Sequence, residues 1–171
     1  MTVRTILFIV VLFIIMPLCL VASEPVAKQA ILIQELRGDE IEIQATGIFT
    51  SSEKSKSKIK KDIQKNGETM AIEDAKRSAI HHVLFSGNNP IINNGEDRMR
   101  FNSRGAFVYE IANINRYVTF EAPNLSSREE IDGGKTLKIS KVVRVNRPQL
   151  IRELRNNGVL QTSVFDDSNF E

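Results

Sequence analysis

From Ile6 to Met16 the chain carries no polar side chain, and its only cysteine, Cys19, lies just beyond that run. Arg4 in front, Pro17 behind and Val21-Ala22-Ser23 at the end complete the cationic start, short apolar core and small-residue cut site of a secretory signal peptide. A membrane-spanning helix needs about 20 apolar residues. The reading is therefore a signal peptide over residues 1–23 and a mature chain beginning at Glu24, with an uncleaved membrane anchor over residues 5–22 as the alternative. Lipoprotein acylation of Cys19 needs a small residue directly before it, where Leu18 stands. Without the leader no cysteine remains, so disulfides and thiolate chemistry drop out together. The mature chain, as one domain, must then be held by an ordinary apolar core.

Charge gives little guidance to partners as a total, because 23 basic residues face 21 acidic ones. That balance argues against nucleic acid as a ligand. The distribution is uneven, however. Lys54, Lys56, Lys58, Lys60, Lys61 and Lys65 crowd one stretch, while Asp166, Asp167 and Glu171 close the chain.

Period-two apolar positions in Ile31-Leu32-Ile33 and Ile41-Glu42-Ile43-Gln44-Ala45 flank Arg37-Gly38-Asp39, which reads as a β-hairpin with Gly38 in the turn. Arg-Gly-Asp also spells an adhesion tripeptide, but these residue types belong in a turn in any case. Residues 50–68 offer only Ile59 and Ile63 to repay the entropy of ordering, and are expected to form a mobile basic loop or a frayed helix. The clearest helix runs from about Thr69, as cap, to Phe85. Ile72, Ala75, Ala79 and Val83 form its buried stripe, Ile80 and Leu84 widen it, and Glu73, Asp74, Lys76 and Arg77 face water. Ala75 and Ala79 are small enough to let it lie close on a sheet.

A loop is expected from Ser86 to Asn102, then a short helix from Ala106 to Ile114 packing Phe107, Ile111 and Ile114. A strand over Tyr117–Glu121, with Val118 and Phe120 in the core, pairs antiparallel with a longer one from Thr136 to Val145, across a polar excursion ending in Gly133-Gly134. Asn146 caps a final helix with Pro148 in its first turn, Leu150, Ile151 and Leu154 buried, and Gly158 at its end. The expected fold class is α+β: an antiparallel sheet with helices packed on one face, in the order β-β-α-(α)-β-β-α. The domain spans residues 24–160, and 161–171 form a disordered acidic tail.

Catalytic signatures are absent from this pattern. His81 and His82 are helix neighbours about 100° apart, unsuited to share a metal, and read as favourable charges near the helix C-terminus. Glu73-Asp74 and Glu129-Glu130 lack partners that would split their pKa values. No phosphate loop, HExxH, GxSxG or dinucleotide fingerprint occurs. No catalytic, cofactor or metal residues are assigned, and no cofactor is expected. Asn124-Leu125-Ser126 fits a glycosylation sequon, which the bacterial style of the composition leaves empty.

Two stretches carry a family likeness. One is Ala71-Ile72-Glu73-Asp74-Ala75-Lys76-Arg77-Ser78-Ala79-Ile80, a helix following a strand that ends in Thr46-Gly47. The other runs from Tyr117-Val118-Thr119-Phe120-Glu121 through Gly133-Gly134 and Val142-Val143-Arg144-Val145 to Leu150, Leu154 and Gly158. Together they resemble the N-terminal domain of the flagellar assembly protein T and the related small outer-membrane lipoprotein family of Helicobacter, both exported bacterial envelope domains. The resemblance implies an α+β interaction domain with no catalytic residue to carry over. The lysine-rich stretch departs from it, inserted where the family runs straight from strand to helix. The expectation is an exported bacterial envelope protein, periplasmic or at the cell surface, that binds another envelope protein without catalysis in an assembly role such as that of the flagellum. The alternative is a binder of peptidoglycan or an anionic lipid surface through Lys54, Lys56, Lys58, Lys60, Lys61 and Lys65, and a hydrolase without recognisable motif comes third.

Overall fold

The computed structural model describes residues 23–161. The leader and anchor readings on residues 1–22, Cys19 and the acidic tail after Gln161 lie outside the described residues. Strands β1 (Ala30–Glu35) and β2 (Glu40–Thr50) form the expected hairpin. Gly38 and Asp39 hold φ of 78° and 57° in its turn, the left-handed backbone that tight hairpins demand. After two intervening strands, β3 (Val118–Glu121) and β4 (Ser127–Ile131), comes β5 (Thr136–Asn146), which pairs with β2 along its whole length, from Glu40↔Asn146 to Thr50↔Thr136. β3 and β4 lie end to end on the other edge of β5, against residues 143–145 and 136–140. All pairings are antiparallel, and the fold is α+β with helices on one face of the sheet.

Helix α1 (Lys56–Asp62) passes through a π turn (Ile63–Gly67) straight into α2 (Glu68–Phe85), which lies on β2 and β5. Ala71, Ala75, Ala79 and Ile80 are fully buried at this contact. Gly47 is the counterpart on the sheet: a Cβ there would stand 1.9 Å from the Ala71 carbonyl oxygen and 2.5 Å from the Ala75 nitrogen. Helices α3 (Gly95–Arg104) and α4 (Ile111–Tyr117), joined through a 3-10 turn (Gly105–Tyr109), form the next layer, and α5 (Arg147–Asn156) closes the core. The final helix matches expectation, with the Asn146 side chain accepting from the Gln149 amide at 2.8 Å and Leu150 and Leu154 buried.

Residues 50–68 are not a loop but mainly helix from Lys56 onward. Nucleation is the costly step in helix formation, and α2 has already met it, so two inward isoleucines suffice to extend the helix. Ile63 and Ile59 pack with Leu137, Ile139 and Phe49 in a second small core, and the Ser51 hydroxyl donates to Asp62 at 2.6 Å. Thr69 therefore caps nothing, since the chain is already helical before it. Ile72 is only partly buried. Glu73, Lys76 and Arg77 do not face open water either, because the 3-10 turn, α4 and β3 pack over that side of α2, and Asp74 is buried against the backbone amides of Val26, Ala27 and Ile48.

In the loop expected from Ser86 to Asn102, α3 was hidden by its polarity, and only Asn94 marks it, accepting from the Asp97 amide at 2.8 Å. The helix expected over Ala106–Ile114 is the 3-10 turn followed by α4, and Ile111 is exposed rather than packed. The polar excursion contains β4. Phe120 points away from the core, and a register shift between Val118 and Phe120 is the reason. Val118 sits opposite Val145, but Phe120 sits opposite Arg144, so the extra residue Thr119 reverses which side chains face outward.

Candidate functional site

The helices leave one face of the sheet open. Reading β2 and β5 across their register, Ile43, Ala45 and Gly47 turn toward α2 with Val143, Lys141 and Ile139, while Glu42, Gln44, Thr46 and Ile48 turn the other way with Arg144, Val142, Ser140 and Lys138. One transverse row crosses four strands: Gln34, Glu42, Arg144 and Phe120 are successive register partners. The Gln34 amide donates to Glu42 at 3.1 Å, Arg144 Nε donates to the other Glu42 oxygen at 2.6 Å, and the guanidinium lies 4.4 Å from the centre of the Phe120 ring. Both bulges contribute, because the shift in β1 turns Gln34 outward as that in β3 turns Phe120. Phe120 is 38 % exposed and Ile31, on the same face, 70 %.

The Arg144 hydrogen bond, helped by Gln34, holds the Glu42 carboxyl below its ordinary pKa against a smaller opposing effect of burial. A carboxyl whose folded pKa is depressed contributes stability that is fully present above the unfolded value and disappears as pH falls through the folded one. Glu42→Gln is accordingly expected to cost about 0.5–1 kcal/mol at neutral pH. Urea titrations should show that difference shrinking toward zero as the pH falls through the depressed folded value, where the parent loses the charge as well. A difference that stays constant with pH would mean the charge of Glu42 is not what Arg144 uses.

On the covered face the inward alternation of β5 is broken by Lys141, whose ammonium is buried and bonded to Glu121 at 2.9 Å. Lys76 of α2 takes the other Glu121 oxygen at 2.6 Å. Burial raises the Glu121 pKa, but the two ammonium bonds outweigh it and hold the carboxyl below its ordinary value. Beside this triad is a cavity of about 250 Å³ lined by Ile72, Glu73, Lys76, Ile111 and Asn115 among others. Glu73 Oε2 is buried and has no hydrogen-bond partner. A smaller cavity of about 100 Å³ lies at the hairpin end between Glu35, Asp39, His82 and Arg147. Burial lowers the pKa of both His81 and His82, which works against the helix-end charge expected from sequence. His81 instead packs on Phe85. Arg37-Gly38-Asp39 is the hairpin turn, and Asn124 is exposed in the connection from β3 to β4. Among the described residues no group of His, Cys, Asp and Glu is arranged to hold a metal ion, and no helix is long and apolar enough to cross a membrane.

The sequence-predicted residues are all exposed along one stretch, Lys54 just ahead of α1, Lys56, Lys58, Lys60 and Lys61 on α1, and Lys65 in the π turn. The open-face row was not anticipated. Its signal was present in Phe120 and Arg144, but which way they point depends on the bulge. No family model matches this chain, nor does any curated protein or any solved structure.

Proposed function

We propose that this chain is an exported bacterial envelope protein whose folded unit is a non-enzymatic protein-interaction or assembly domain, the flagellum being one such assembly. The observation that carries the binding role is the open sheet face with the Phe120–Arg144 stack on it. Aromatic and arginine side chains are where interface energy concentrates. Glu42 and Gln34 already hold the arginine in place, so little side-chain freedom remains to be lost on docking. Export is supported by the leader pattern at residues 1–23.

Photo-crosslinking in the cell that makes the protein tests the binding role. A crosslinking residue in place of Ile31 or Val142, on the open face, is expected to give a discrete adduct with another envelope protein. One in place of Ser103, exposed on α3, is expected to give none. The same adducts from all positions would overturn the assignment of the face. Intact mass of the purified protein checks export, with a chain beginning at Glu24 as the expected result. A mass that retains residues 1–23, or an acyl group on Cys19, would contradict the cleaved leader.

A further inference from the structure

We infer that the outward face of α1 and the π turn is a contact surface for anionic phospholipid membranes. Six ammonium groups are exposed along this stretch: Lys58, Lys61 and Lys65 on the outward face itself, Lys56 and Lys60 at its flank, and Lys54 just ahead of α1. None of them pairs with a carboxylate among the described residues. The sole carboxylate between Lys56 and Gly67, Asp62, does not neutralise them at close range. Its two oxygens accept from the Ser51 hydroxyl at 2.6 Å and the Asn66 amide at 2.8 Å.

Rotation of the helix is set from below. Ile59 and Ile63 pack against Leu137 and Ile139, and Gly67 fits closely against Leu137. Lys58, Lys61 and Lys65 follow one another at spacings of three and four, so they share the side turned away from that core. At 1.5 Å per residue they form a row about 10 Å long. A further cation from far along the chain joins the near end, because the Ser51 amide bonds to the Lys135 carbonyl at 3.0 Å and the Lys135 side chain is exposed. Exposed Glu68 and Asp132 and half-buried Glu53 lie near the two ends without reversing the excess of lysines.

The chemistry favours a lipid surface over a protein partner. Long lysine side chains are depleted from the energetic centres of protein interfaces, whereas a fluid layer of anionic headgroups asks only for accumulated positive charge. Each lysine near such a surface is worth roughly a fivefold gain in partition. The surface lies on the helical side of the molecule, away from the open sheet face, so one domain has room for both contacts.

The test is co-sedimentation of the purified protein with neutral and with anionic phospholipid vesicles at low and high salt, read as the ratio of anionic to neutral partition. A Lys58→Gln, Lys61→Gln, Lys65→Gln triple variant is expected to lower that ratio on the order of a hundredfold. A Lys28→Gln, Arg37→Gln, Arg152→Gln triple variant removes the same charge from other exposed positions and is expected to lower it only a few-fold. High salt should weaken binding of the parent steeply, since the attraction is screened over about 8 Å at physiological ionic strength. Glutamine keeps helix propensity close to that of lysine, so melting curves of both variants should overlay the parent. Equal losses in the two triple variants, or no preference for anionic vesicles at low salt, would overturn the inference. Sedimentation with cell-wall sacculi in place of vesicles would do so too.

Discussion

Gly47→Ala should lower the midpoint of thermal unfolding by about 10 °C, through a loss of roughly 3 kcal/mol. Overpacked cores usually recover part of such a cost by turning a side chain aside. Here the added methyl meets backbone, 1.9 Å from the Ala71 carbonyl oxygen and 2.5 Å from the Ala75 nitrogen. Relief requires α2 to lift off β2, which opens contacts along the main core that Ala75, Ala79 and Val83 share with Ile43 and Val143. Shrinking Ala71 to glycine cannot rescue the variant, because the clash is with its carbonyl. Gly95→Ala is the control. Gly95 stands in the first turn of α3, and a methyl group added there would meet nothing within 4 Å, so its replacement should leave stability unchanged or raise it slightly. Circular-dichroism melts of the three proteins decide the matter. A Gly47→Ala protein melting within about 2 °C of the parent would show that the helix does not rest on this strand at this point.

Gly47 also illustrates where sequence patterning stops. The stripe on α2 and its small residues at Ala75 and Ala79 were legible because a helix announces its buried side at every third or fourth position. The hairpin, β5 and the Asn146-capped last helix were legible for similarly local reasons. Elements made by their neighbours were not. β4 reads Ser-Arg-Glu-Glu-Ile and is a strand because β5 pairs with it. Residues 56–67 are polar in bulk and become helix because α2 follows and two isoleucines reach a small core. A one-residue shift in β3 moves Phe120 from the core to the open face, and no periodicity measured on a strand of that length reveals such a shift. Lys141 is hidden in the same way, since the carboxylate that lets it sit inside comes from Glu121 on another strand. The candidate site was thus legible as a list of exposed lysines, while the open-face row required the register.

Asp74→Asn should cost about 3 kcal/mol, and the loss should be concentrated where the first residues of the domain join the sheet. Asp74 lies in α2 at 4 % exposure, which is tolerable for a carboxylate only if its oxygens are well supplied with donors. They are: Oδ1 accepts from the Val26 amide at 2.8 Å, and Oδ2 from the Ile48 amide at 2.9 Å and the Ala27 amide at 3.3 Å. The geometry follows from the lengths of the strands. β1 pairs with β2 only as far as Ala30↔Ala45, and beyond it the backbone of β2 reaches an edge. The Asp74 side chain takes the place of a neighbouring strand for Ile48 and ties residues 26 and 27 across the same gap. Asparagine matches the shape but replaces one acceptor oxygen with an amino group, which sets a donor against one or two donors whichever way the amide turns. Hydrogen exchange separates this from a general loss of packing. In the variant the Val26, Ala27 and Ile48 amides should exchange faster by more than the global loss accounts for, while the buried β5 amides at Ile139 and Val143 follow global stability. If all of these amides change together, or if the variant stays within about 1 kcal/mol of the parent, the carboxylate is not what joins the start of the domain to its sheet.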